Sequence, residues 1–305
     1  MKNMVVHGWV GLAVLISGTL AIVATDWWPI HTYFTPWMWT GYLLFTDALL
    51  ARIRGHSLLV PRPGRFLLLL LVSLVFWLMF EGYNLHLRNW VYVGLPSSPW
   101  LEWLGYIWSF ATIWPALFLT AALIEALGLR LRARRVRITG RLRATWLALG
   151  CLMAAGPLLL PGHLAAYTFA AVWCAFVFLL EPILYSSKQV PSLLRDAGSG
   201  NWTRWVSLGM SGLICGLLWE SWNTLASASW IYILPMFQNM KLFEMPLPGF
   251  PGFIPFAWEA WCLYWATALL LARFLTGAGG MPRLHGVLLP VADLPGAVSS
   301  DEDPA

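Results

Sequence analysis

Phe80-Glu81-Gly82-Tyr83-Asn84, followed by Trp90-Val91-Tyr92, and Trp219-Glu220-Ser221-Trp222-Asn223, followed by Trp230-Ile231-Tyr232, are two versions of one pattern. An aromatic residue precedes a glutamate, an asparagine stands three residues after it, and a Trp-x-Tyr triplet follows, one residue later in the second copy. Each Glu closes a long apolar run. An ionisable group inside an apolar span is costly, so it marks a functional site by default. Its occurrence twice predicts a duplicated membrane domain with a carboxylate site between the halves.

The composition agrees: the 305 residues are 59% hydrophobic and only 11% charged, too apolar for a soluble domain of this length. A span takes roughly 20 apolar residues. Eight are expected, at about 5–25, 36–53, 66–87, 100–127, 145–160, 164–184, 204–225 and 252–274. The fifth is short, and a hairpin with the sixth around Pro161-Gly162-His163 is one way to accommodate it. With the N-terminus inside, 17 of the 19 Lys and Arg fall in inner segments, and only Arg88 and Lys241 lie outside. That bias predicts a multi-pass protein of a bacterial-type inner membrane with both termini cytoplasmic. It also accounts for the net charge of +5 and for the basic run from Arg130 to Arg143, so no nucleic-acid partner is expected. The first span is not read as a cleaved signal, because Ala24-Thr25-Asp26-Trp27-Trp28 is a poor cleavage site. Cys151, Cys174, Cys215 and Cys262 all fall in spans and are expected as buried free thiols. The Gly- and Pro-rich stretch from Gly277 to Ala305 is expected to be a disordered cytoplasmic tail.

A second pair of segments aligns at the same offset. Asp47-Ala48-Leu49-Leu50 precedes Ser57-Leu58-Leu59, and Glu181-Pro182-Ile183-Leu184 precedes Ser192-Leu193-Leu194. The offset is four spans, an even number, so the halves share one orientation. The expected fold is all-α, two parallel four-helix repeats (residues 1–144 and 145–276) about an axis along the membrane normal.

Glu81 and Asn84 share a helix face, as do Glu220 and Asn223, and each amide can hold its neighbouring carboxyl group. The outer segment Lys241 to Phe256 is apolar yet full of Pro and Gly, so it cannot be a continuous helix. It reads as a re-entrant plug, because irregular backbone at membrane depth must be covered or line a cavity. Glu259 follows between Trp258 and Trp261. Glu81, Glu220 and Glu259 are therefore expected to converge in the outer half, with Glu102 and Glu244 at the rim. A proton donor must hold its proton at neutral pH, and an apolar surrounding favours the neutral carboxyl. Trp219, Trp222, Trp258 and Trp261 flank these acids, with Trp230 and Tyr232 nearby, and indole faces stabilise cations. Asp47, Glu125 and Glu181, near the basic face, are expected to pair with Arg. His7, His31, His56, His86, His163 and His285 are scattered without ligand spacing, and neither a Walker motif nor a GxGxxG after a strand is present. Neither metal nor nucleotide cofactor is expected.

The run Trp219-Glu220, Trp230-Ile231-Tyr232, then Gly249 to Pro255 and Glu259 resembles, at a distance, the small membrane lycopene cyclases of bacteria and fungi and their membrane terpene-cyclase relatives. Their motif runs aromatic-acid, a gap, Trp-x-aromatic, then a Gly-rich turn into Pro-x-Glu-Glu. The likeness covers roughly residues 215–265, with a weaker echo at 79–92. Glu259 follows Pro255 by four residues rather than two, and the adjacent second acid is missing. The resemblance implies acid-catalysed cyclisation or isomerisation of an isoprenoid or carotenoid through a carbocation, without net redox change. Glu220 or Glu259 would protonate a double bond, the indoles would shelter the cation, and Glu81, or a remaining carboxylate, would take the proton back. The competing expectation is a lipid-binding protein, or a lipid or proton-coupled transporter, using the same acids.

Overall fold

The computed structural model describes residues 4–59 and 63–276. The tail from Gly277 lies outside them, as do Lys2, Arg62 and Arg283. The main helices are α1 (Val6–Ala24), α2 (Trp28–Thr32), α3 (Phe34–Arg54), α4 (Pro63–Leu87), α5 (Pro99–Ala111), α6 (Ile113–Ala126), α7 (Gly140–Leu159), α8 (Gly162–Ala165), α9 (Phe169–Ser187), α10 (Leu193–Ser199), α11 (Thr203–Leu225) and α12 (Phe253–Thr276). Four short strands complete the chain: β1 (Trp90–Val93), β2 (Ser229–Tyr232), β3 (Lys241–Leu242) and β4 (Met245–Pro246).

Six helical segments are long and apolar enough to cross a bilayer: Val6–Ala24, Phe66–Leu87, Pro99–Ala126, Gly140–Leu159, Gly162–Ser187 and Leu247–Phe274. The chain is thus a helical membrane protein. Two expected spans, α3 and α11, are 21 and 23 residues long but carry too many polar groups to qualify by composition. Both pack against α6 and against each other, and their buried faces hold Thr35, Thr46 and Asp47 on α3 and Arg204, Ser207, Ser211, Glu220 and Asn223 on α11. A helix enclosed by helices need not match lipid. The fifth expected span is not short: α7 begins at Gly140, so the 144/145 division lies inside a helix.

Close approach is bought with glycine. The buried residues of α1 are Gly8, Gly11 and Gly18, and a Cβ on Gly11 would press on the Gly41 carbonyl and the Phe45 amide of α3. Gly150 of α7 meets the backbone of α9 at Leu179 in the same way. Without a hydrophobic force between helices in lipid, such small-residue contacts carry the packing. The α5–α6 rod bends at Thr112, three residues before Pro115, which cannot donate to Ala111. Ser73 of α4 fills the bend, its hydroxyl donating to the Phe110 carbonyl at 2.5 Å and accepting from the Trp114 amide at 3.1 Å. Ser73→Ala strands both groups in a buried site, and we expect it to cost ~1–3 kcal/mol, read as a lower midpoint of thermal unfolding in detergent. An unchanged midpoint would mean that packing alone holds the bend.

The basic loops collect at one end. Arg132 bridges to Asn201, and the Ala133 and Val136 amides donate to Gly200 and Ala197. The acids here cap turns more than they meet Arg. The Leu58 and Leu59 amides donate to Asp47, which also meets His7 at 3.0 Å. Leu193, Leu194 and the Ser192 hydroxyl donate to Glu181 in the same pattern. Glu125 accepts from Ser207 at 2.7 Å. The expected Arg pairing fails for Asp47 and Glu181, because main-chain N–H groups at helix and turn starts already satisfy their oxygens. Among the thiols, Cys215 and Cys262 are buried as expected, whereas Cys151 is exposed on the outer face of α7.

At the opposite end β1 and β2 pair antiparallel, with Trp90 opposite Tyr232 and Tyr92 opposite Trp230. The fold is therefore nearly, not wholly, α-helical. Gly94 closes β1 at φ +64°, where a Cβ would overlap the Ser227 carbonyl. Gly94→Ala is expected to push the strands apart. It should lower the unfolding midpoint more than Gly128→Ala, which has a positive φ but open space around it. Equal effects would mean that backbone strain, not the strand contact, sets the cost. The Pro/Gly-rich segment forms a β3–β4 hairpin and a 3-10 turn over Leu247–Gly252 that leads straight into α12.

Candidate functional site

The Trp-x-Tyr triplets are strands because each Asn holds one. Asn84 donates to the Trp90 carbonyl at 2.9 Å and accepts from the Asn89 and Trp90 amides. Asn223 donates to the Trp230 carbonyl at 2.8 Å and accepts from the Trp230 amide at 2.9 Å. We expected these amides to hold the carboxyl groups. They grip the strands, because one side-chain amide can satisfy both halves of a peptide unit, and only Asn84 also stays within hydrogen-bonding reach of its carboxyl group, Glu81. The tyrosine of each strand then reaches back to the glutamate of its own helix. Tyr92 donates to Glu81 at 2.6 Å, and Tyr232 donates to Glu220 at 3.0 Å. Burial first, and the facing carboxyl second, push both phenols well above the ordinary tyrosine range, so both remain O–H donors.

The two acids differ in what else they hold. Glu81 Oε1 also accepts from Trp77 at 2.9 Å and from Trp90 at 3.1 Å, which makes three donors on one oxygen. In the second copy, Gly216 stands where Trp77 stands in the first, four residues before the acid. The Phe253 ring fills that space so closely that a Cβ on Gly216 would overlap it. The indole N–H of Trp230, the counterpart of Trp90, approaches Glu220 and Tyr232 but closes no hydrogen bond of good geometry, and Glu220 Oε2 is buried without a partner.

Glu220 lines a cavity of about 90 Å³ beneath the paired strands. About half of the lining residues are aromatic, including Trp77, Trp90, Tyr92, Trp219, Trp230 and Tyr232. Phe253 and Phe256 of α12 close it from below, and Trp219 packs on both at 6.4 and 6.3 Å between ring centres. Tyr33, Leu101, Glu102 and Tyr106 form another wall, so Glu102 belongs to this site as expected. Glu244 is not among the lining residues; it meets Lys241 at 3.6 Å in the β3–β4 turn.

Convergence holds for part of the expected set. Glu220, Trp219, Trp230 and Tyr232 line the cavity, and Glu81, Asn84 and Asn223 support its wall. Trp222 turns away to pack on Trp39 at 4.8 Å. The expectation for Glu259, Trp258 and Trp261 is corrected. The cavity floor lies at Phe256, and a helix advances 1.5 Å and turns about 100° per residue. Trp258 therefore faces α11, donating to the Trp205 carbonyl at 2.8 Å. Trp261 lies farther along under the Arg204 guanidinium, 4.8 Å from its ring centre. Glu259 is buried against α9, accepting from the Phe176 amide at 2.9 Å. Sequence reasoning missed Trp77 and Tyr92 as partners of Glu81. Trp77 is four residues before it on the same helix face, and Tyr92 is the counterpart of Tyr232, so both signals were present. Tyr33, Tyr106 and Trp173 carried none.

Among the described residues no group of three His, Cys, Asp or Glu side chains is placed to hold a metal ion. No protein family, no characterised protein and no solved structure matches this chain.

Proposed function

We propose that the cavity is the reaction site of a membrane enzyme that protonates a double bond at the end of an isoprenoid or carotenoid chain and isomerises or cyclises it without net redox change. Glu220 is the donor in this reading. The observation that carries it is the contrast between the two equivalent acids: three hydrogen bonds of good geometry fix Glu81 Oε1, whereas Tyr232 alone closes such a bond on Glu220, with Trp230 approaching it, and the second oxygen of Glu220 lies unpartnered at an aromatic cavity. An unbonded acid oxygen among ring faces has the two things such a step requires, a transferable proton and a wall that favours positive charge. Trp219, Trp230 and Trp90 would face the cation, and Tyr232 would hold the carboxylate left behind. That carboxylate would take a proton from a carbon next to the cation, which forms the new double bond and restores the acid. At about 90 Å³ the cavity is smaller than the ~150 Å³ that benzene fills, so its aromatic wall must move apart to admit a chain end.

The same reading takes the halves as parallel repeats of four spans, eight in all, with the basic end cytoplasmic and the paired strands outside. Its support is the antiparallel, register-matched pairing of β1 with β2 and the matching acid caps at Asp47 and Glu181. It also fits the distant resemblance to membrane lycopene cyclases, now resting on Glu220 without Glu259. A transporter would need a path to the basic end, and none of the described lining residues belongs to the basic loops. The test is expression in a bacterial host that accumulates linear C40 carotene, with pigments separated and weighed by mass detection. A new product of unchanged mass supports the reading. An unaltered extract from well-expressed protein removes that substrate.

A further inference from the structure

A second concavity, of about 500 Å³, lies at the basic end between α7, α9 and α12, far along the chain from the acids of the reaction site. Arg143 and Arg273 line it with Ser186, Ser187 and the first turn of α7 at Gly140, and among the described residues no acidic side chain does. Arg143 is held in place: Nη1 donates to Ser186 Oγ at 2.8 Å, the guanidinium lies 5.2 Å from the centre of the Tyr185 ring, and Nε is buried without a partner. Two guanidinium groups beside a helix amino end form a site for a phosphate-type anion. The remaining lining is apolar, Leu147, Pro182 and Ile183, with Leu147 and Ile183 39% and 43% exposed. Among the described residues these two apolar side chains stand partly open on α7 and α9, and in a bilayer such faces meet acyl chains.

We propose that this groove binds one anionic phospholipid, its headgroup phosphate between Arg143 and Arg273 and its acyl chains along Leu147 and Ile183. Charge complementarity sets the headgroup and the exposed apolar floor sets the lipid. A soluble phosphate ester would use only the upper half of the groove. The site is independent of the reaction proposed above and stands or falls without it.

The test is native mass spectrometry of the full-length protein released from detergent after addition of equal phosphatidylglycerol and phosphatidylcholine. Wild type should retain phosphatidylglycerol in preference. Arg143→Gln with Arg273→Gln should lower that retention roughly thirtyfold, each arginine near an anionic surface contributing a factor of about 5. Arg143→Lys should keep most of it, and Arg135→Gln, outside the groove, should leave it unchanged, which separates the site from general surface charge. Equal retention of the two lipids, an undiminished double variant, or an equal loss with Arg135→Gln would overturn the proposal. Displacement by glycerol phosphate at the same concentration would do so too, by making the site one for a free phosphate ester.

Discussion

Glu220→Gln is expected to lower turnover by ~10²- to 10⁴-fold, the usual contribution of a positioned general acid, while the protein folds and extracts like wild type. Gln is close in shape to Glu, and its carbonyl can still accept from the Tyr232 hydroxyl that now donates to Oε1 at 3.0 Å. The group it replaces at Oε2 has no partner to lose. Structure therefore changes little, and what disappears is the transferable proton. The check is product formed per unit of folded protein, with the unfolding midpoint measured alongside. A variant that folds and turns over like wild type would remove Glu220 from the mechanism. Tyr232→Phe makes a milder companion. It keeps the ring in the wall but takes away the Tyr232 hydroxyl that donates to Glu220.

Glu81→Leu should do the reverse, with a loss in stability as its main effect. Three donors, from Trp77, Trp90 and Tyr92, converge on Glu81 Oε1 within 3.1 Å in a part-buried site. Each buried donor left without an acceptor costs ~1–3 kcal/mol. The three share one acceptor and will relax together, so the sum is not additive, and about 3–5 kcal/mol is expected. The loss should appear as a much lower unfolding midpoint in detergent. Glu81→Gln keeps one carbonyl oxygen for those donors and should recover most of it. If Glu81→Leu is as stable as wild type while Glu220→Leu is not, the roles assigned to the two acids are exchanged.

Much of this was legible because it is local or repeated. Apolar runs located the helices, and the paired motifs located Glu81, Glu220 and the residues that gather round them. What stayed hidden depends on distant partners. Four-residue strands such as Trp90–Val93 and Ser229–Tyr232 carry no hairpin signal, since each finds its partner some 140 residues away. Tyr33, Tyr106 and Trp173 reach the cavity only through helix packing, which one sequence does not encode by spacing. Glu259 was misplaced for a related reason: its nearness to Trp258 and Trp261 in sequence says nothing of how far down the helix the cavity extends. The asymmetry between the acids could have been read from Gly216 standing in place of Trp77. Its meaning needed Phe253, which packs there from another helix.

The most direct test of the central claim is the fate of solvent hydrogen. Purified protein in lipid, given linear C40 carotene in deuterated buffer, should yield an isomer carrying one deuteron per double bond protonated, because the donor acid exchanges with solvent. The label and the product should both vanish in Glu220→Gln. Product without deuterium, or labelled product made equally well by Glu220→Gln, would contradict the assignment of Glu220 as the proton donor.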